Sequence, residues 1–309
     1  MALEVSMDVH RLASAPVVVG VDGSAAADLA LDWAAGLAAR RRRELHIACG
    51  LGLAQMRRGS SRYASWLDSV QEALRAKGAA IVERSQYRAR AAEPGLRVST
   101  EVSATTPVEL LVRHSAAAYL VVLGASGGSG FAAHVGSVML RVVAHGQGTI
   151  VVVRADPNAD NQPPSVGPVV VGVDGSPASE AAVGVAFEEA AERDTCLSAV
   201  YACHDLNSGL YAEDPYVLYS VPEVEVSEQA VLAERLAGWH GKYPDVTVTR
   251  QVLMSDPVAA LMDSSQSAQL LVVGSRGRSG FLGALLGSTS NSLVQHANCP
   301  VMVVHPPKQ

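Results

Sequence analysis

Apolar residues fall into short continuous runs separated by longer stretches with apolar positions at three-and-four spacing. The runs are Val17–Val21, Leu45–Cys49, Leu96–Val102, Tyr119–Leu123 and Thr149–Val153, then Val169–Val173, Leu197–Ala202, Val246–Leu253, Leu270–Val273 and Val301–Val304. Most lack the alternation of a strand with one wet face, so they predict parallel strands covered by helices on both sides. Helical spacing predicts helices over Asp28–Arg43, Tyr63–Ala92, Val108–Ala118 and Ser137–His145. The later set is Ser179–Arg193, Glu223–Trp239, Val258–Ser265 and Ser288–His296. Pro107 and Pro257 open two of these helices, where a missing N–H costs nothing. Strands alternating with helices imply an α/β protein with right-handed crossovers.

The pattern is written twice. The octapeptide VVVGVDGS stands at Val17–Ser24 and again at Val169–Ser176, 152 residues later. Each copy is followed by an apolar run ending in a glycine turn, Gly124-Ala-Ser-Gly127 and Gly274-Ser-Arg-Gly277. Two domains are therefore expected, residues 16–153 and 168–305, joined by a Pro/Asn/Asp-rich linker over 154–167.

Composition narrows the function. Apolar residues make up 49% of the chain, but only three Phe and three Trp occur, so the cores must be built from Ala, Val and Leu. A net charge of −6 argues against a nucleic-acid partner, and no apolar run approaches the ~18 residues of a membrane span. Met1–Pro16 carries Glu4, Asp8, His10 and Arg11 and reads as an arm, not a signal peptide. Cys49, Cys196, Cys203 and Cys299 form no CxxC pair and read as buried free thiols of a cytoplasmic protein. The nine histidines show no metal-ligand spacing, so no protein-borne metal site is expected. Arg40–Arg43 reads as a solvated helix end.

Candidate chemistry lies at the carboxyl ends of the strands, where doubly wound sheets bind ligands. Asp22 and Asp174 end the first strand of each half, and a carboxylate there can accept hydrogen bonds from ribose or adenine. Asp-Gly-Ser is equally an ordinary turn and helix cap, and alone decides nothing. The second half adds a more specific pattern: Gly274-x2-Gly277-x9-Gly287-Ser288. The glycines let backbone approach a ligand, and Gly287-Ser288 opens a helix whose free amides and dipole favour phosphate. Ser288, Thr289 and Ser290 place hydroxyls at the same end. No G-x-S-x-G elbow or paired acidic motif suggests hydrolytic catalysis.

With these motifs the chain resembles a tandem-domain universal stress protein of the ATP-binding type. The repeat and the resemblance together imply two doubly wound five-stranded parallel sheets of order 3-2-1-4-5. They also imply a pseudo-two-fold relation in which the fifth strands meet, and a further homodimer. The resemblance implies ATP as ligand, with any Mg2+ carried on its phosphates. It assigns ligand contact in the second half to Gly172, Val173, Asp174, Ala202, Val273, Gly274, Arg276, Gly277, Gly287, Ser288, Thr289 and Ser290. The matching first-half positions are Gly20, Val21, Asp22, Gly50, Leu123, Gly124, Gly127, Gly136, Ser137 and Val138. Tyr201, Cys203 and His204 read as the wall of the adenine pocket or a core edge.

The first half departs from the pattern. Eight residues, not nine, separate Gly127 from Gly136, and Ser126 and Met139 stand where the second half has Arg276 and Ser290. Weaker phosphate binding is expected there. The resulting expectation is a stress-response regulator acting through nucleotide occupancy, with a slow ATPase or a cyclic-AMP-binding protein as alternatives. The sequence names no downstream protein partner.

Overall fold

The computed structural model describes residues 14–53, 64–125, 133–155, 162–202, 221–278 and 285–306. The chain divides into two compact units, Met1–Arg154 and Ala155–Gln309.

In the first unit the elements run β1 (Val17–Gly20), α1 (Ala25–Arg40), β2 (Leu45–Gly50), α2 (Ala64–Ala92), β3 (Val98–Ser103), α3 (Pro107–Ser115), β4 (Leu120–Gly124), α4 (Ala133–His145) and β5 (Thr149–Val153). The strands are parallel in the order β3-β2-β1-β4-β5. β1 is central, with Val17 in register with Leu45 on one side and Leu120 on the other. Helices α1 and α2 contact each other and one face of the sheet, while α3 and α4 pair over the other. Because both faces are covered, Val17, Val18 and Val19 are all buried, as the unbroken apolar run requires.

The second unit repeats the plan: β6 (Val169–Gly172), α5 (Pro177–Glu192), β7 (Leu197–Ala202), α6 (Val221–His240), β8 (Val248–Leu253), α7 (Pro257–Ser265), β9 (Leu270–Gly274), α8 (Ser288–His296) and β10 (Val301–Val304). Its parallel order is β8-β7-β6-β9-β10. Each half is thus a five-stranded parallel sheet of order 3-2-1-4-5.

Helix starts follow their caps. Ser24 and Ser176 accept the N–H of Ala27 and Ser179, each at 3.2 Å. Thr106 and Glu109 form a reciprocal capping box ahead of α3, and Asp256 caps α7 with Pro257 at its first turn. Helix α4 corrects one expectation. It begins at Ala133, not at Ser137, so Gly136 lies within the helix and does not open it. Ala133-His-Val contains nothing that breaks a helix.

Two further readings are revised. Arg43 is not a solvated end: its guanidinium lies 3.8 Å from the Tyr119 ring centroid and donates to Ala15 O at 2.9 Å. Among the described cysteines, Cys49 and Cys299 are buried but Cys196 is exposed. Cys203 and His204 lie outside the described residues, as does Gly127. No helix among the described residues is long and apolar enough to cross a membrane.

Candidate functional site

The strand-end turn is built alike in both units. Asp22 Oδ1 accepts the N–H of Ser24, and Asp174 Oδ1 that of Ser176, both at 2.9 Å. The intervening glycines have φ of 83° and 77°, where a side chain would be strained. In the second unit this turn is tied to the loop after β9. Ser176 Oγ donates to Arg276 O at 3.0 Å, and the N–H of Arg278 donates to Asp174 Oδ2 at 3.0 Å. A Cβ on Gly277 would lie 2.6 Å from that same carboxylate oxygen. Gly277 is therefore glycine so that the loop can close on Asp174.

The helix end completes the cluster. Gly287 caps α8 without a side-chain bond to the helix amides, and its own N–H donates to Ser275 O at 2.8 Å. A Cβ on Gly287 would sit 3.6 Å from the N of Gly277, so helix mouth and loop are neighbours. Ser288 is exposed and Thr289 half-buried. The amides of this first turn and the dipole end thus point out of α8 beside an exposed Arg276. An anionic group fits that chemistry.

Several expected contacts have a different local cause. A Cβ on Gly274 would stand 2.6 Å from Ala178 C and 2.8 Å from Ser179 N, so this glycine admits α5 onto β9. Gly124 does the same for α1 at Ala26. Gly20 and Gly172 lie under Leu111 and Leu261, and Gly50 lies under the Pro107 backbone. Ser290 is buried and its Oγ donates to Gly274 O at 2.6 Å, so that proton holds the helix to the loop. Val21, Val173, Leu123 and Val273 are buried, leaving only their backbone to meet a ligand, while Ala202 is half-buried at the end of β7.

In the first unit Asp22 keeps its turn, and burial, followed by the Asp22 charge, pushes the Cys49 thiol up. The phosphate end differs. With α4 starting at Ala133, the amides of Ser137 and Val138 fall at helix positions that bond the carbonyls four residues back. They are not the free first-turn amides of α8.

The family model for the universal stress protein family matches residues 14–154 and again 166–305. The chain belongs to the universal stress protein family. It is 39% identical over 288 residues to a universal stress protein of Mycobacterium tuberculosis, covering 93% of this chain and 96% of that one. A second relative, from Mycolicibacterium smegmatis, is 36% identical over 299 residues, with 94% and 97% covered. A solved universal stress protein structure from Archaeoglobus fulgidus shares the fold, with a TM-score of 0.67, 17% identity and coverage of 96% and 98%.

Sequence reasoning on this family member missed Arg278. Besides its N–H on Asp174, its Nη2 donates to the Tyr201 hydroxyl at 3.2 Å and its guanidinium lies 5.8 Å from that ring's centroid. It links the ends of β6, β7 and β9. Its place after Gly277 was the available signal, but the pairing is visible only in three dimensions.

The histidine expectation also changes. His46, Glu101 and His114, scattered in sequence, converge on the face of the first sheet under α3. Burial, then the neighbouring His114, holds the His46 imidazole below its ordinary value. Burial alone would raise Glu101, but His114, His46 and Arg113 outweigh it and hold the carboxyl low.

Proposed function

We propose that the second unit binds an adenine nucleotide, ATP, and that the chain acts as a stress-response regulator through occupancy of that site. The observation that carries this reading is the closure of the β9 loop on Asp174 beside the uncapped mouth of α8. That arrangement offers a carboxylate for ribose or adenine and a row of amides for phosphates, with Mg2+ carried by the phosphates themselves. Val173, Ala202, Val273 and Gly274 frame the base and sugar, while Arg276, Gly287, Ser288 and Thr289 face the phosphates. Ser290 positions the helix through its bond to Gly274.

The first unit retains Asp22 but has its helix opening earlier, so its phosphate contacts are weaker. The reading is a binding function, not catalysis: the backbone N–H groups of Ser176 and Arg278 fix the Asp174 carboxylate in the turn, and its remaining lone pairs are the ones offered to the ligand. In this reading the chain works in the cytoplasm as a homodimer, and light scattering on the purified protein tests the assembly. Denaturing the full chain and identifying the released small molecule by mass spectrometry tests the ligand. ATP at close to one equivalent supports the reading; cyclic AMP would replace the ligand, and no nucleotide retained or rebound would reject it.

A further inference from the structure

His46 near the start of β2 and Glu101 past the middle of β3 meet His114 in the C-terminal turn of α3, on the face away from α1 and α2. Three ligand-bearing side chains converge there. His114 Nε2 lies 2.7 Å from Glu101 Oε2, and His46 Nε2 lies 3.4 Å from the same oxygen. The two imidazoles are tilted by 46° with ring centroids 4.7 Å apart, and all three ligand atoms lie within 4.8 Å of one another. We propose that His46, Glu101 and His114 form a binding site for a divalent transition-metal ion of the Zn2+ class, with two imidazole nitrogens and one carboxylate oxygen as ligands.

Three observations carry the assignment. Ligands of a tetrahedral ion with bonds of ~2.0 Å stand about 3.3 Å apart, close to the His46–Glu101 separation of 3.4 Å; the His114–Glu101 pair, at 2.7 Å, needs to open by about 0.6 Å. His46 Nε2 is buried and makes no hydrogen bond among the described residues, although it faces a carboxylate. Its other nitrogen, Nδ1, lies 2.9 Å from Ser99 Oγ. In the tautomer that donates Nδ1–H to that hydroxyl, the Nε2 lone pair faces Glu101 and a cation between the two acceptors satisfies both; in the other tautomer Nε2–H faces the carboxylate, and an arriving metal displaces that proton. Arg113 holds Oε1 of Glu101 at 2.7 Å, which leaves Oε2 as a single ligand oxygen.

The repeat supplies an internal contrast. The equivalent positions of the second unit are Ser198, Gln251 and Ser264, neutral groups bordering a cavity of about 510 Å³. One ion per chain is expected, on the first unit alone. This site lies away from the carboxyl strand ends, so it stands or falls independently of the nucleotide reading.

The test uses the tag-free full chain, stripped with chelator and dialysed. Titration with ZnCl2 should show one saturable equivalent, and Co2+ should give the visible bands of an ion in a low-coordinate nitrogen/oxygen site. Glu101→Gln and His114→Gln should each weaken binding at least about tenfold. Ser264→Ala should leave it unchanged. Circular dichroism checks that the variants fold, and the Co2+ spectrum of the unaltered chain reads the site even where a variant does not. Absence of stoichiometric binding, or affinity unchanged from the unaltered chain in folded Glu101→Gln and His114→Gln variants, would overturn the assignment.

Discussion

The carboxylate of Asp174 accepts the backbone N–H of Arg278 at 3.0 Å across 104 residues of chain. One oxygen orders the turn after β6 and the other orders the loop after β9. The carboxylate therefore acts first as a splice between two loops, and the proposed ligand site forms around it.

Gly277→Ala should uncouple that splice. The added methyl would stand 2.6 Å from Asp174 Oδ2, so either the carboxylate or the loop must move. Displacing the carboxylate or the loop should cost the bound nucleotide one hydrogen bond to this turn, about 1–3 kcal/mol, or roughly a five- to 150-fold rise in the ATP dissociation constant. Because Gly277 and Arg278 are exposed, the thermal midpoint should barely change. Calorimetric titration of the variant decides: unchanged ATP affinity would show that the loop position is irrelevant to the ligand.

Gly274→Ala should behave in the opposite way. Its methyl would meet backbone atoms of Ala178 and Ser179, which cannot rotate aside as a side chain can. Overpacking of this kind costs about 1–3 kcal/mol or more. Urea unfolding should show a less stable second unit even without nucleotide. A variant as stable as the parent would mean that α5 slides on β9 freely.

These two glycines also mark what the sequence could and could not disclose. Both belong to one motif, yet one serves helix packing and the other loop closure, and spacing alone does not separate them. Most strands were legible because they are buried runs of Val, Leu or Ala bounded by Gly, Asp or Pro; Thr149–Val153, Leu197–Ala202 and Val301–Val304 fall where the apolar pattern placed them, whereas β3 and β8, half-exposed at the sheet edges, begin two residues after the expected Leu96 and Val246. Helix starts were less so: α1 opens at Ala25 behind the Ser24 cap, three residues before the expected Asp28, and α4 begins four residues before Ser137. Ser290 gave a hydroxyl but not its direction. His46, Glu101 and His114 sit on two strands and a helix, so periodicity could not bring them together.

Cys299 provides a test of core burial through pH. Its thiol is fully buried, and burial pushes its pKa from 9.0 up to about 12. The unfolded chain ionises this thiol at the lower value and the folded chain only at the higher one. The stability it confers is thus complete below pH 9 and lost progressively as pH rises to about 12. The loss is on the order of 1.4 kcal/mol per pH unit. Urea unfolding at about pH 8 and about pH 10.5 should show a steeper decline for the parent than for Cys299→Ala. Equal declines would place the thiol in contact with solvent.

The two nucleotide sites should be unequal, and this bears most directly on the account. Asp22 and Asp174 occupy the same turn, but among the described residues α8 opens right after Gly287 beside its glycine loop whereas Gly136 lies inside α4. One charge-assisted hydrogen bond at the phosphates is worth about 1.5–3 kcal/mol, so the gap should be wide for ATP and narrow for adenosine. The deciding measurement is calorimetric titration of ATP into the full chain and its Asp22→Ala and Asp174→Ala variants. The account predicts a tight site that survives Asp22→Ala and is lost or weakened at least about fivefold in Asp174→Ala. Tight binding that survives Asp174→Ala, or no ATP binding by the unaltered chain, would contradict it.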